Sequence, residues 1–532
     1  MHKGYLCLVL HAHLPYVRHP EHEYFLEENW LYEAITETYI PLLEVFSRLL
    51  NDGVDFRITV SLSPPLIEML DDALLRERYL RHIGRLIELS EKELFRTKGD
   101  IHFGPVVKMY HERFLQCRHF FENVCGKDLV SVFRSLQDTG RVEIITSAAT
   151  HAFLPNLSLS PQAVKAQLTV GAEQYKRHFG KKSNGIWLPE CGFHEGLDYD
   201  IKAAGIQYFF LETHGLMHGK PSPPYGVYAP AVCPSGAVAF GRDSETAKQV
   251  WSSVEGYPGD FSYRDFYRDI GFDLDLNYVK SYLDPYGAKT YTGLKYYRVT
   301  GKSGKKDPYI IQKAKEKARE HASHFMRERE RQINALSEKL NVRPVITAMY
   351  DAELFGHWWF EGPEWLEQLF REIHRSNVHF RTITPSEYLN LNPREKGFQV
   401  GEPCMSSWGE KGYSDVWLNE KNDYVYRHLL KASERMLCLA ERFPAAKGIL
   451  LRALNQAARE ILLSQHSDWA FILKSGTSGE YAAERLRTHI EQFHCLCEAI
   501  LSGTISNEWL AELEKRDRIF RDIDYRIYAG RQ

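Results

Sequence analysis

The sequence has no CxxC pair, although it contains nine cysteines. An odd number, scattered along the chain, with Cys7, Cys438, Cys495 and Cys497 in apolar surroundings, fits reduced and buried thiols in a cytoplasmic protein better than a disulfide framework. No apolar run approaches membrane-spanning length. The first of them, Tyr5 to Leu10, stops at His11, too soon for a signal peptide. Excess positive charge is also absent: the formal net charge is -3, which argues against a nucleic-acid partner. Internal repeats, low-complexity segments and an HExxH element are missing as well. What remains is a chain of 532 residues, 44% hydrophobic, enough for a large core and two or three domains. Its 30 tyrosines and 10 tryptophans exceed what a core requires, and several stand beside polar residues, as on surfaces that stack against sugar rings.

Apolar runs recur, each closed by a polar tip. Tyr5–Leu10 reads as a strand buried on both faces and ends in His11 and His13; Phe56–Leu62 carries Ser61 and Ser63 at its end. Residues 66–136 are helical throughout, a helical insertion much longer than one crossover helix. Val142–Thr146 leads to His151, and Gly185–Leu188 stops at Pro189 and Glu190. Ile206–Leu211 leads to Glu212 and His214, Pro344–Tyr350 to Asp351 and Glu353, and a last strand, His379–Ile383, to Thr384. Strand, polar tip, helix, strand is the alternation of a parallel α/β sheet. Residues 217–304 loosen into Pro, Gly and Tyr-rich sequence, a functional loop region with one strand at Ala237–Phe240. Beyond residue 400 the strand pattern ends, and 401–532 reads as a separate helical domain.

Any one tip alone reads as a helix cap. Many tips at the same end of successive strands fit better the C-terminal face of a barrel, where such folds gather their chemistry. Two chemistries suit the set. Glu190 and Asp351 can serve as the carboxylate pair of a glycoside-transferring enzyme, one attacking the anomeric carbon and the other exchanging the proton. Alternatively, His11, His13, His151 or His214 and Asp351 can ligate a metal for assisted hydrolysis, a reading that leaves Glu190 without a role. A third possibility is a carbohydrate-binding or regulatory protein on a barrel without catalysis. Trp408 and Trp417 flank glycines and polar residues, a wetter setting than a core, and are expected to stack on sugar.

The motifs His11–Pro15, Trp187–Cys191, Tyr350–Gly362 and Ser407–Trp417 resemble the signature regions of glycoside hydrolase family 57, in its 1,4-α-glucan branching enzyme branch. The resemblance spans nearly the whole chain. It implies an incomplete (β/α)7 barrel over residues 1–400, followed by the helical domain, and a retaining mechanism with no metal or cofactor. Glu190 would be the nucleophile and Asp351 the general acid/base. It also implies α-glucan contacts by His11, His13, His151, Trp251, Arg264, Trp408, Trp417 and Asp468. The expected substrates are amylose, amylopectin or glycogen, with no nucleic acid or membrane partner. In branching members a long loop over the site carries a tyrosine at its tip. The corresponding stretch, Ala229–Trp251 with a core at Cys233–Gly241, contains none, which leaves branching against hydrolysis open.

Overall fold

A computed structural model describes residues 2–252, 255–283, 289–301, 304–391 and 397–530. The irregular region expected over 217–304 therefore includes positions 253–254, 284–288 and 302–303, which lie outside the described residues. The central strand, β1 (Gly4–Ala12), is buried along its whole length, as its unbroken apolar run requires. It pairs in parallel with β2 (Ile58–Leu62) on one edge and with β8 (Val345–Asp351) on the other. From β2 the sheet continues in parallel through β3 (Val142–Ser147), β4 (Gly185–Trp187), β5 (Tyr208–Leu211) and β7 (Val238–Gly241).

The ring closes between β7 and β8 through a single parallel bridge. Arg242 faces Thr347, and the Asp243 N–H donates to the Thr347 carbonyl at 2.9 Å. This is the incomplete (β/α)7 barrel. The strand expected at 379–383 contributes no stave of its own. It shrinks to β9 (Phe380–Thr382), which pairs with Gly4–Leu6 of β1 below the point where β2 takes over that edge.

Register then sets the site. His11 lies opposite Ser61 on one side and opposite Asp351 on the other, so three polar tips reach the same level of the barrel. Four helices, Pro64–Leu70, Ala73–Arg96, Phe103–His119 and Leu129–Asp138, occupy the connection between β2 and β3. Helix Ile311–Lys339 turns Ala314, Ala318, Ala322, Phe325 and Ile333 inward, together with Arg329, which is buried and paired with Glu245.

The stretch around Cys233 departs from the expected loop over the active site. Ala231–Val232 (β6) folds back antiparallel on β7, and the turn between them hangs from the N-terminal end of β7. There the Ser235 N–H donates to Asp198 and Lys202 reaches the Gly236 carbonyl. Catalytic faces of parallel barrels lie at the other strand ends, so this turn cannot shield the site from water. Gln399–Val400 (β10) adds in parallel to β6.

The last residues form helices Asp423–Arg442, Gly448–Ser464, Ser467–Ser475, Gly479–Ser502 and Asn507–Arg516. They share one hydrophobic cluster with the barrel, from Leu6 through Ala457 to Tyr528. Polar seams reinforce the contact: the Ser467 N–H donates to the His151 carbonyl at 3.1 Å, and Gln167 donates to Gln465 at 2.9 Å. The expectation of buried thiols holds only in part. Cys7 and Cys497 are buried, whereas Cys438 and Cys495 lie on exposed helix faces; every cysteine is unpaired.

Candidate active site

Glu190 reaches its position by backbone conformation more than by strand length. β4 ends at Trp187, and Glu190 adopts a left-handed conformation (φ 59°), as does His151 after β3 (φ 55°). Non-glycine residues held there cost on the order of 1 kcal/mol or more and persist where the surroundings over-determine them. Both side chains point into the same place. Trp187 lies fully buried against two of its lining residues, with the His11 ring stacked on it at 4.7 Å and the Trp408 ring edge-on at 5.1 Å.

Glu190 is held at both oxygens. Trp408 donates its indole N–H to Oε2 at 2.9 Å, and Ser467 donates its hydroxyl to Oε1 at 3.0 Å. Behind Ser467 runs a line of contacts: His151 Nδ1 to Ser467 at 2.9 Å, His11 Nε2 to His151 Nε2 at 2.9 Å, and His11 Nδ1 to Ser61 at 3.1 Å. The carboxylate sets the direction of this chain. An ionised Glu190 only accepts, so Ser467 spends its one hydrogen there and must accept from His151 Nδ1–H. Burial keeps His151 and His11 neutral. The bare Nε2 of His151 then accepts from His11 Nε2–H, and the bare Nδ1 of His11 accepts from Ser61.

A second line supports the other side. His13 contacts Ser63 at 2.9 Å through Nδ1 and Asp468 at 2.9 Å through Nε2, while Asp468 also lies 2.7 Å from His466. Burial opposes the ionisation of Asp468, but these histidines outweigh it and hold its carboxyl well below the usual range. The opposite happens to the expected catalytic pair. Burial and the nearby Asp468 charge raise Glu190 to about 7, against the hydrogen bonds from Trp408 and Ser467. Burial, Glu353 and Glu190 raise Asp351 well above the ordinary carboxylate range. Glu353 itself accepts from Tyr39 at 2.6 Å and from the His13 N–H at 3.1 Å.

Together these side chains line a cavity of about 650 Å³. Glu190, Asp351, His11, His13, His151, Trp251, Trp408, Trp417 and Asp468 all border it. Arg264 does not: it is buried beside the wall, with its guanidinium near Glu37 and Tyr110, donating to the His357 carbonyl and packed on Phe360. His214 is also elsewhere, bonded to the Gly412 carbonyl. Thr384 is a helix cap: its hydroxyl oxygen accepts from the Glu387 N–H at the start of helix Pro385–Leu389. Trp417 corrects the expectation of sugar stacking. It is 1% exposed, lies 4.3 Å from the Phe153 ring, and crowds Gly409 so closely that a β-carbon there would meet its ring at 2.7 Å. Trp251, 47% exposed and stacked on Trp408 at 6.4 Å, keeps an open face.

The metal reading gathers His11, His13 and His151 within 4.8 Å of one another. Each of their ring nitrogens already has a protein partner, so a cation would have to break the two lines just described. The residues that sequence reasoning missed are Ser467, Arg242, Phe471 and Lys474. Arg242 pairs with Glu212 at 2.9 Å and lies over the Trp408 ring at 5.5 Å. Ser467, Phe471 and Lys474 come from a short helix without a motif, and only their placement reveals them.

Parallel strands that bring carboxylates to one end of a barrel, inside an aromatic-walled cavity, define a carbohydrate-active enzyme of the barrel class. The chain belongs to glycosyl hydrolase family 57, whose model matches residues 7–405. Residues 428–528 match a second model, described as 1,4-alpha-glucan branching enzyme, C-terminal. A 1,4-alpha-glucan branching enzyme of Thermococcus kodakarensis is 35% identical over 98% of this chain and 78% of its own. The crystal structure of that branching enzyme, in complex with glucose, superposes with a TM-score of 0.89 at 34% identity over 100% of this chain and 97% of the other. The alpha-amylase AmyC from Thermotoga maritima superposes with a TM-score of 0.93 at 43% identity, over 100% of both chains.

Trp417→Ala is expected to cost about 3 to 5 kcal/mol of stability, as for other buried aromatic truncations, and to lower the thermal midpoint. An unchanged midpoint, measured by calorimetry, would contradict its placement between Phe153 and Gly409.

Proposed function

We propose that the protein is a retaining 1,4-α-glucan branching enzyme. Glu190 attacks the anomeric carbon of an α-1,4-linked chain while Asp351 protonates the departing glycosidic oxygen, leaving a glucosyl ester on Glu190. Asp351, now deprotonated, takes the proton from the 6-hydroxyl of another chain, whose oxygen displaces Glu190 and forms an α-1,6 bond. Water is the competing acceptor. One observation carries the reading. Ser467 and Asp468, which hold Glu190 and His13, belong to the segment that matches the branching-enzyme C-terminal model. Hydrolysis is the second reading, favoured by the likeness to an alpha-amylase and by a turn at Cys233 that lies at the end of the barrel away from the cavity.

The electrostatics suit this division of labour, because environments that push two carboxyls apart assign acid and base. The nucleophile must be ionised, so turnover falls as pH drops through about 7, where Glu190 is placed. The acid must be protonated, so turnover falls again as pH rises through the elevated value of Asp351. Since Glu353 is, after burial, the largest influence raising Asp351, Glu353→Gln should move the alkaline limb of the pH–rate profile to lower pH. An alkaline limb that stays in place would count against that coupling.

Glu190→Gln should reduce turnover by about three orders of magnitude or more with the fold intact. Substantial remaining activity removes the assignment. The reaction itself is decided by proton NMR of amylose after incubation. New α-1,6 signals are expected; new reducing ends without them would establish the hydrolytic reading instead.

A further inference from the structure

Trp358, in the loop after β8, borders the cavity yet is 49% exposed. The Phe266 ring lies 4.2 Å from it with a tilt of 30°. Beyond Phe266, the Tyr291 ring follows at 5.8 Å and that of Phe272 a further 5.1 Å on, with Tyr267 edge-on to Phe266 at 5.2 Å. These rings lie at the surface of the protein: Tyr267 is 71% exposed, Phe272 42% and Tyr291 38%. Single exposed aromatics are ordinary, but a contiguous band of them costs solvation and marks a surface that meets a ligand.

The base under the band is rigid. Buried Asp269 accepts from the backbone N–H groups of Gly271, Thr292 and Gly293, tying together the segments that carry Phe272 and Tyr291. Lys295, buried and 3.4 Å from Asp269, places its ammonium 4.0 Å from the Tyr291 ring and 4.9 Å from that of Phe266. The exposed rings are thus held in place before any ligand arrives, which lowers the ordering cost of binding.

Continuity identifies the occupant. The band begins at Trp358 inside the cavity wall and leads outward from it, so what it meets is the part of a substrate that the cavity does not hold. Flat aromatic faces suit the apolar faces of sugar rings, while the cations beside the band are engaged within the protein: Lys295 is buried and paired with Asp269, Arg268 pairs with Asp273, and Lys289 donates to the Phe272 carbonyl. We infer that the band from Trp358 to Phe272 is a remote subsite that carries an α-glucan chain whose reacting end lies in the cavity. This rests on the proposed function above.

The test is the double variant Tyr267→Ala/Phe272→Ala, assayed on amylose and on maltotetraose. With the loss of two stacking surfaces, KM for amylose should rise about fivefold or more while kcat stays unchanged, and kcat/KM on maltotetraose should stay within about twofold. An amylose KM unchanged in a variant of unchanged thermal midpoint overturns the inference. Should the midpoint fall, Tyr267→Ser alone, at the most exposed ring, reads the same quantity. If the wild type turns over neither substrate, the proposed function fails, and electrophoresis through amylose-containing gel still decides the subsite. Retardation of the wild type but not of the variant supports it; equal mobility of the two overturns it.

Discussion

The active-site end of this protein depends on one buried carboxylate being held ionisable where burial disfavours charge. The hydrogen bond from Ser467 to Glu190 is the point through which the rest acts, since it is backed in turn by His151, His11 and Ser61. Those five residues come from four barrel strands or their tips and from the C-terminal helices. Every member except Glu190 is neutral, so the chain delivers an oriented hydrogen to the carboxylate without adding a charge of its own. The left-handed backbone at His151 and Glu190 follows from the same requirement, because both side chains must turn back toward the barrel axis from strands that have already ended.

That dependence explains why the helical domain and the barrel share a core. Ser467 and Asp468 are useful only if helix Ser467–Ser475 is held against β1 and β3, and the Ser467 backbone bond to His151 does this at the site itself. Asp468, kept ionised by His13 and His466, raises Glu190, while Ser467 and Trp408 lower it. The short helix therefore sets the charge of the site from both directions. Asp351, across the cavity, feels Glu353 and Glu190 without a direct hydrogen-bonding partner among the described residues, and burial with these charges raises it well above the ordinary carboxylate range.

Much of this was legible in the chain because strand tips are written locally. A buried run followed by His, Ser, Glu or Asp names both the strand and what it delivers, and the parallel register then brings His11, Ser61 and Asp351 to one level. Features fixed by packing across long separations were not legible. Trp417 stands among glycines and polar residues, which suggested an open ring, yet Phe153 stacks on it and Gly409 crowds it. Arg264 carries no local sign that its guanidinium is consumed by Glu37 and the His357 carbonyl. Nor does a serine at the start of a helix announce that it will bond a carboxylate 277 residues away. The Cys233 turn was misplaced for a related reason: the sequence shows that a turn exists but not at which end of the barrel it lies.

The central claim is that Ser467 holds Glu190 down against burial and Asp468, and the pH–rate profile of Ser467→Ala tests it most directly. Losing the bond removes a stabilisation of the ionised form, so Glu190 should bind its proton more tightly and the acidic limb should move to higher pH, with Ser467→Thr restoring it. An acidic limb that stays where the wild type has it, with turnover intact, would show that the chain from Ser61 to Ser467 does not govern Glu190.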